Sequence, residues 1–133
     1  METNHAKLIY HLKDVKKEEK ILRLCKQLGI TTRKIKRSDE NVSLGTLAGI
    51  FVGTAMQPAR KAPKDYEMPE LFIFTGMEER KLDEFLAEYR KQGIEPVSLK
   101  AIVTPHNICW SVYQLTAELI KERTAILMRQ PPH

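Results

Sequence analysis

Apolar residues follow two rhythms along this chain. Two compact runs, Leu8-Ile9-Tyr10 and Leu71-Phe72-Ile73-Phe74, have the length and continuity of strands covered on both faces. After the first run, Ile21, Leu24, Cys25 and Leu28 recur at the spacing of one helix face. That predicts a helix from Val15 to Leu28, with Asp14 as its cap and Gly29 as a left-handed stop. After the second run, Leu82, Phe85, Leu86 and Tyr89 repeat the pattern and Gly93 ends it. Ile30 to Lys36 reads as a strand, and so does P-V-S-L-K-A-I-V after Glu95, with Pro96 at its start, where a missing N–H is tolerated.

A shift of 64 residues, the distance from Gly29 to Gly93, superimposes these features. Leu8-Ile9-Tyr10 falls on Phe72-Ile73-Phe74, Cys25 on Tyr89, Ile35-Lys36 on Leu99-Lys100, and Ser43-Leu44 on Asn107-Ile108. The expectation is an internal duplication within a single domain spanning 1–133: repeat 1 over about 7–52, a linker over 53–69, and repeat 2 over about 70–128. Pro58, Pro63 and Pro69 mark this stretch as a linker or surface excursion rather than a regular element. The apolar first and third strands belong at the centre of a sheet, and the charged second and fourth at its edges. The predicted fold is therefore α/β, two β-α-β-α repeats in one four-stranded sheet of order 2-1-3-4, packed with helices. The direction of the first strand against the third is open; a two-fold between the copies makes them antiparallel.

Thr104-Pro105-His106-Asn107 reads as a turn with Asn107 capping a long helix that begins at Ile108 and runs to Met128. In the first copy Ser43 takes the capping part, with Leu44, Leu47, Ala48 and Phe51 on the buried face and Gly45 and Gly49 permitting close packing. Capping alone explains Asn107. A functional reading adds that Lys100, Thr104, His106 and Asn107 converge on a phosphate or carboxylate at the helix start. The last helix carries more apolar surface than one sheet face can cover. Ser111, Gln114, Glu118 and Glu122 make its only clear polar line. Trp110, Tyr113, Ala117, Ile120, Ile126 and Leu127 are thus the candidate surface of a two-fold homodimer. The alternative is that the tail folds back over its own sheet.

Composition narrows the chemistry. Hydrophobic residues are 42% and charged residues 29% of the 133 residues, ordinary for a globular chain. No apolar run reaches membrane-spanning length, and Met1 to His5 lack the basic-then-apolar profile of a secretory signal. No CxxC pair or His/Cys cluster has zinc spacing, and Lys13-Asp14 and Thr75-Gly76-Met77 do not resemble a nucleotide loop. No metal and no cofactor is expected. Cys25 and Cys109 read as buried reduced thiols in helices. The net charge of +5 is concentrated early: residues 1–48 hold eleven Lys/Arg against six Asp/Glu, residues 70–133 eight against nine. An alternative function is therefore nucleic-acid binding through Arg33, Lys34, Lys36 and Arg37, although stacking aromatics are scarce there. A third reading is an enzyme using Cys109, in the first turn of the last helix, with His106. Glu78-Glu79 and Asp83-Glu84 are explained by a helix start, and Lys16-Lys17-Glu18-Glu19-Lys20 by a solvated helix face.

The segment F-I-F-T-G-M-E-E-R-K-L-D-E-F-L, followed by G-I-E-P-V-S-L-K-A-I-V-T-P-H-N-I-C-W, resembles the bacterial domain-of-unknown-function family numbered thirty-seven eighty-three. Gly76, Leu82, Leu86 and the K-A-x-x-T-P-x-N-x-x-W pattern from Lys100 to Trp110 carry the resemblance, over residues of about 70 to 123. It implies a bacterial cytoplasmic protein of unassigned activity, with no catalytic residues to transfer. The first copy keeps Lys36 but lacks the Thr-Pro and the Trp. The expected function is thus a small non-enzymatic α/β protein acting through protein contacts, or binding a small anion at the 100–107 turn.

Overall fold

The computed structural model describes residues 6–50 and 61–129. The elements run β1 (Lys7–His11), α1 (Val15–Leu28), β2 (Thr31–Lys34), a 3-10 turn (Arg37–Asp39), α2 (Leu44–Ala48), β3 (Leu71–Thr75), α3 (Glu79–Lys91), β4 (Leu99–Ile102) and α4 (Val112–Arg129). The sheet order is β2-β1-β3-β4, as the strand composition predicts. β1 runs parallel to β2 and β3 parallel to β4, while β1 and β3 meet antiparallel at the centre. Ile9 pairs directly with Ile73, so the central pairing is symmetric about that residue pair.

Helices cover both faces of the sheet, which is why the central strands are apolar throughout. Leu8, Tyr10, Phe72 and Phe74 point to the face covered by α1 and α3, where they meet Ile21, Leu24, Phe85 and Tyr89. The rings of Phe72, Phe74, Phe85 and Tyr89 pack with centroids 5.6–6.1 Å apart, mostly edge to face. Ile9, Leu71 and Ile73 point the other way, to a second core with Ile35, Leu44, Leu47, Leu99, Val112 and Leu115 beneath α2 and α4. Each fully buried side chain of this size contributes ~1.5–3 kcal/mol relative to exposure.

Local signals account for most boundaries. Asp14 accepts from the amides of Lys16 and Lys17, and Gly29 closes α1 at φ 71°. Ser43 accepts from the Thr46 amide at 3.2 Å. Gly49 is the left-handed stop of α2 at φ 78°, where a side chain would be strained, and not an interior packing residue. Lys7 reaches that same end and donates to the Ala48 carbonyl at 3.2 Å. Phe51, expected on the buried face of α2, lies outside the described residues, as do positions 53–60 of the expected linker.

Four expectations change. First, α4 starts at Val112, not Ile108, and Ser111 caps it, with Oγ accepting from the Gln114 amide at 3.0 Å. Second, the later half holds extra chain between helix and strand. Gly29 and Gly93 are equivalent, but Lys7 pairs with Thr31 and Leu71 with Leu99. Thr31-Thr32, rather than Ile35-Lys36, thus matches Leu99-Lys100, and Ser43 bridges antiparallel to Ser111 rather than matching Asn107. The loop Ile94–Ser98 absorbs the difference, burying Ile94 and Val97 against the α1/α3 core.

Third, residues 61–70 hold no helix or strand, but they are tied to the core as a strap. Tyr66 packs against the α2/α4 core, its hydroxyl hydrogen-bonds Thr116 at 2.7 Å, and its ring meets Tyr113 edge-on at 5.1 Å. Met68 is buried. Burial of the Tyr66 hydroxyl pushes its pKa up. Fourth, the charged run at Lys16–Lys20 is only partly solvated. Lys17 is 7% exposed and donates to Glu70 Oε1 at 2.8 Å and to the Pro96 carbonyl at 3.0 Å. Glu18 accepts from the Tyr10 hydroxyl at 2.7 Å and lies 3.4 Å from the Lys34 ammonium. Burial first, and then Glu18, raise the Tyr10 pKa.

Candidate functional site

The 104–109 corner is a self-contained turn. Asn107 Oδ1 accepts from the Thr104 amide at 2.9 Å, and its Nδ2 donates to the Ile102 carbonyl at 3.0 Å. Thr104 Oγ1 accepts in turn from the Asn107 amide at 3.2 Å. Asn107 is 9% exposed, so its polar atoms hold the turn together. The amides at the start of α4 are likewise committed: Val112 donates to the Val42 carbonyl, Tyr113 to the Glu40 carbonyl and Gln114 to Ser111. Thr104 and His106 are exposed, and the His106 ring meets Trp110 edge-on at 5.2 Å. Lys100 projects elsewhere. It lines a groove of about 270 Å³ with Ser98, Leu99, Leu119, Glu122, Arg123, Ile126 and Leu127. The four residues therefore do not share one hollow, although the sequence pattern that singled them out is a genuine turn signature.

The basic residues of β2 are also divided. Arg33 pairs opposite Ile9 and Lys34 opposite Tyr10, so their side chains leave opposite faces of the sheet. Lys34 is held toward Glu18, and Arg37 opens the 3-10 turn with Lys36 just before it. Tyr10 is buried, and no ring contact among the described residues involves residues 31–37. Phosphate contacts without stacking platforms would rest on two separate surfaces.

Of the two cysteines, Cys25 is buried in α1 and burial pushes its thiol up to about 12. Cys109 is half-buried in the turn before α4 and not in its first helical turn, where it was expected. Both remain thiols.

The expected association surface splits in two. Trp110 packs against the α2/α4 core and Tyr113 against Tyr66, while Ala117 is half-buried, so these face inward for the most part. Ser111, expected on a polar line, is fully buried as the cap. Ile120, Ile126 and Leu127 are exposed at 49%, 57% and 62%, and Met128 joins them at 82%. From Ile120 to Met128 every residue of the helix is exposed.

A second hollow, of about 260 Å³, lies at the C-terminal ends of β1 and β2. His11, Lys13, Arg37, Glu67 and Met68 line it. Sequence reading missed it, because the strap that closes one side arrives from far along the chain. The available signal was the strand order itself, which places those two strand ends together.

The molecule is a mixed four-stranded α/β sheet sandwiched between two pairs of helices, and no helix among the described residues is long and apolar enough to cross a membrane. Residues 70–126 match the family model of a domain of unknown function, DUF3783, which takes in β3, α3, β4 and most of α4. No curated protein and no solved structure matches the chain.

Proposed function

We propose that this chain acts by protein contact, without catalysis, as a two-fold homodimer joined through the C-terminal half of α4. The observation that carries this reading is the exposed apolar end of the helix, Ile120, Ile126, Leu127 and Met128, standing beside the groove along edge strand β4. An antiparallel pair of such helix ends would seat each copy's apolar side chains over the other's groove, with Glu122 and Arg123 at its rim. The same reading takes the chain as a bacterial cytoplasmic protein whose halves are copies of one unit. The repeated β-α-β-α order and the symmetric Ile9–Ile73 pairing support the duplication.

Sedimentation equilibrium over a range of concentrations tests the association. The wild type is expected to form a dimer, and Ile126→Glu/Leu127→Glu to weaken it at least tenfold, about 1.4 kcal/mol, with unchanged far-UV circular dichroism. A wild type that stays monomeric at all concentrations, or a double variant that dimerises equally well, overturns the proposal.

A further inference from the structure

β1 and β2 are adjacent and parallel, yet their following connections leave in opposite directions. After β1 the chain turns to α1 on one face of the sheet, and after β2 it passes through the 3-10 turn to α2 on the other. Divergent connections open a crevice beyond the carboxyl ends of the strands, the place where open α/β sheets bind ligands. The hollow of about 260 Å³ lies there. His11 and Lys13 come from the end of β1, Arg37 from the end of β2, and Glu67 and Met68 from the strap.

The lining has a definite chemistry. His11 Nδ1 lies 3.0 Å from the Pro69 carbonyl, and because a carbonyl only accepts, that nitrogen carries the hydrogen. The Nε2 atom is left for another partner. The ion pairs among the described residues involve neither Lys13 nor Arg37, whose side chains are exposed. An ammonium, a forked guanidinium and an imidazole nitrogen thus border one opening with an apolar Met68 wall. The equivalent crevice beyond β3 and β4 has Thr75, Met77 and Pro105 at the corresponding positions, none of them basic. The charged lining therefore belongs to one end of the molecule and is not a by-product of the topology.

We propose that this hollow binds a phosphate monoester, with Arg37 and Lys13 on the phosphate oxygens and His11 Nε2 accepting from the hydroxyl of its singly protonated form. A tetrahedral phosphate offers enough oxygens for three separate partners, and Arg37 can take two of them at once. A carboxylate holds its acceptor sites in one plane, so partners arriving from three directions match it less well than they match a tetrahedral phosphate. Glu67, at the same opening, accepts from a hydroxyl or amine on the ester's other end and opposes a second negative charge.

Amide chemical shifts of the full chain, titrated with inorganic phosphate and separately with malonate in chloride at constant ionic strength, test this. Phosphate is expected to give saturable shifts centred on residues 11–13 and 37, with malonate weaker. Lys13→Gln should weaken phosphate about tenfold, the loss of one charge-assisted hydrogen bond, and Arg37→Gln, which removes two, by more than that. Arg33→Gln, on β2 just before the 3-10 turn but outside the hollow, should change nothing, and Glu67→Gln should tighten binding. The proposal is overturned if phosphate shifts do not saturate or centre elsewhere. It falls equally if Arg33→Gln weakens binding as much as Arg37→Gln, or if malonate binds and phosphate does not.

Discussion

Lys17 sits in a run of five charged residues, and nothing nearby in sequence distinguishes it from its neighbours. Its partner, Glu70, is 53 residues away, so the pair is invisible to any local pattern. In the folded chain it ties α1 to the strap, and through the Pro96 carbonyl to the loop before β4. Burial pushes the Glu70 carboxyl up, but the hydrogen bonds from Lys17 and from the Lys13 amide, with the Lys17 charge, outweigh it and leave the pKa lowered. Glu70→Gln leaves the buried ammonium without its counter-charge and is expected to cost about 1–3 kcal/mol at neutral pH, measured by urea unfolding. The sign with pH follows from the lowered value. The contribution is present above the ordinary carboxylate range and is lost as pH falls through the folded-state pKa below it. The gap between wild type and Glu70→Gln should therefore close in acid, below the ordinary carboxylate range.

Asn107 and Ser111 show why some element boundaries are legible and others are not. Asp14, Gly29 and Ser43 act where the sequence places them, because each is followed or preceded by an unambiguous apolar period. Thr-Pro-His-Asn before Ile108 carries the same signature, but Asn serves equally well in a side-chain-closed turn and at a helix cap. Tertiary contacts decide between them. The carbonyls of Glu40 and Val42 take the Tyr113 and Val112 amides and fix the first turn four residues later than expected. The two roles separate experimentally. Ser111→Ala should lower stability by about 1 kcal/mol and fray the start of α4, seen as lost amide protection at Gln114. Asn107→Ala should cost about 1–3 kcal/mol through its two buried hydrogen bonds while protection within α4 holds.

For the molecule as a whole, the strand order and both core faces could be read in advance, since central strands must be apolar and edge strands need not be. The antiparallel direction of β1 against β3 followed only conditionally, from a two-fold. The strap was not legible: Tyr66 and Met68 stand among prolines and charges, and their burial depends on the partners at Thr116 and Tyr113. The exposure of α4 was only in part legible. Helical spacing gives the apolar positions of α4 but not where the sheet beneath it ends, so it cannot separate Trp110 and Tyr113 from Ile126 and Leu127. The proposed dimer and the phosphate hollow lie on separate elements, α4 with β4 and β1 with β2, so each can fail without the other.

The seam between β1 and β3 implies that each half is built to be completed by another. Cut away from its companion, the fragment 61–133 would bare the inner edge of β3, an apolar strand with every ladder group on that side left to water. Because that seam is symmetric about Ile9 and Ile73, a twin fragment offers the same geometry the missing half supplied. Expressed by itself, the fragment should therefore pair with its own kind across β3, giving a dimer on size-exclusion chromatography that Ile73→Lys abolishes. A lone monomer with a folded spectrum would show that one unit can close its own edge.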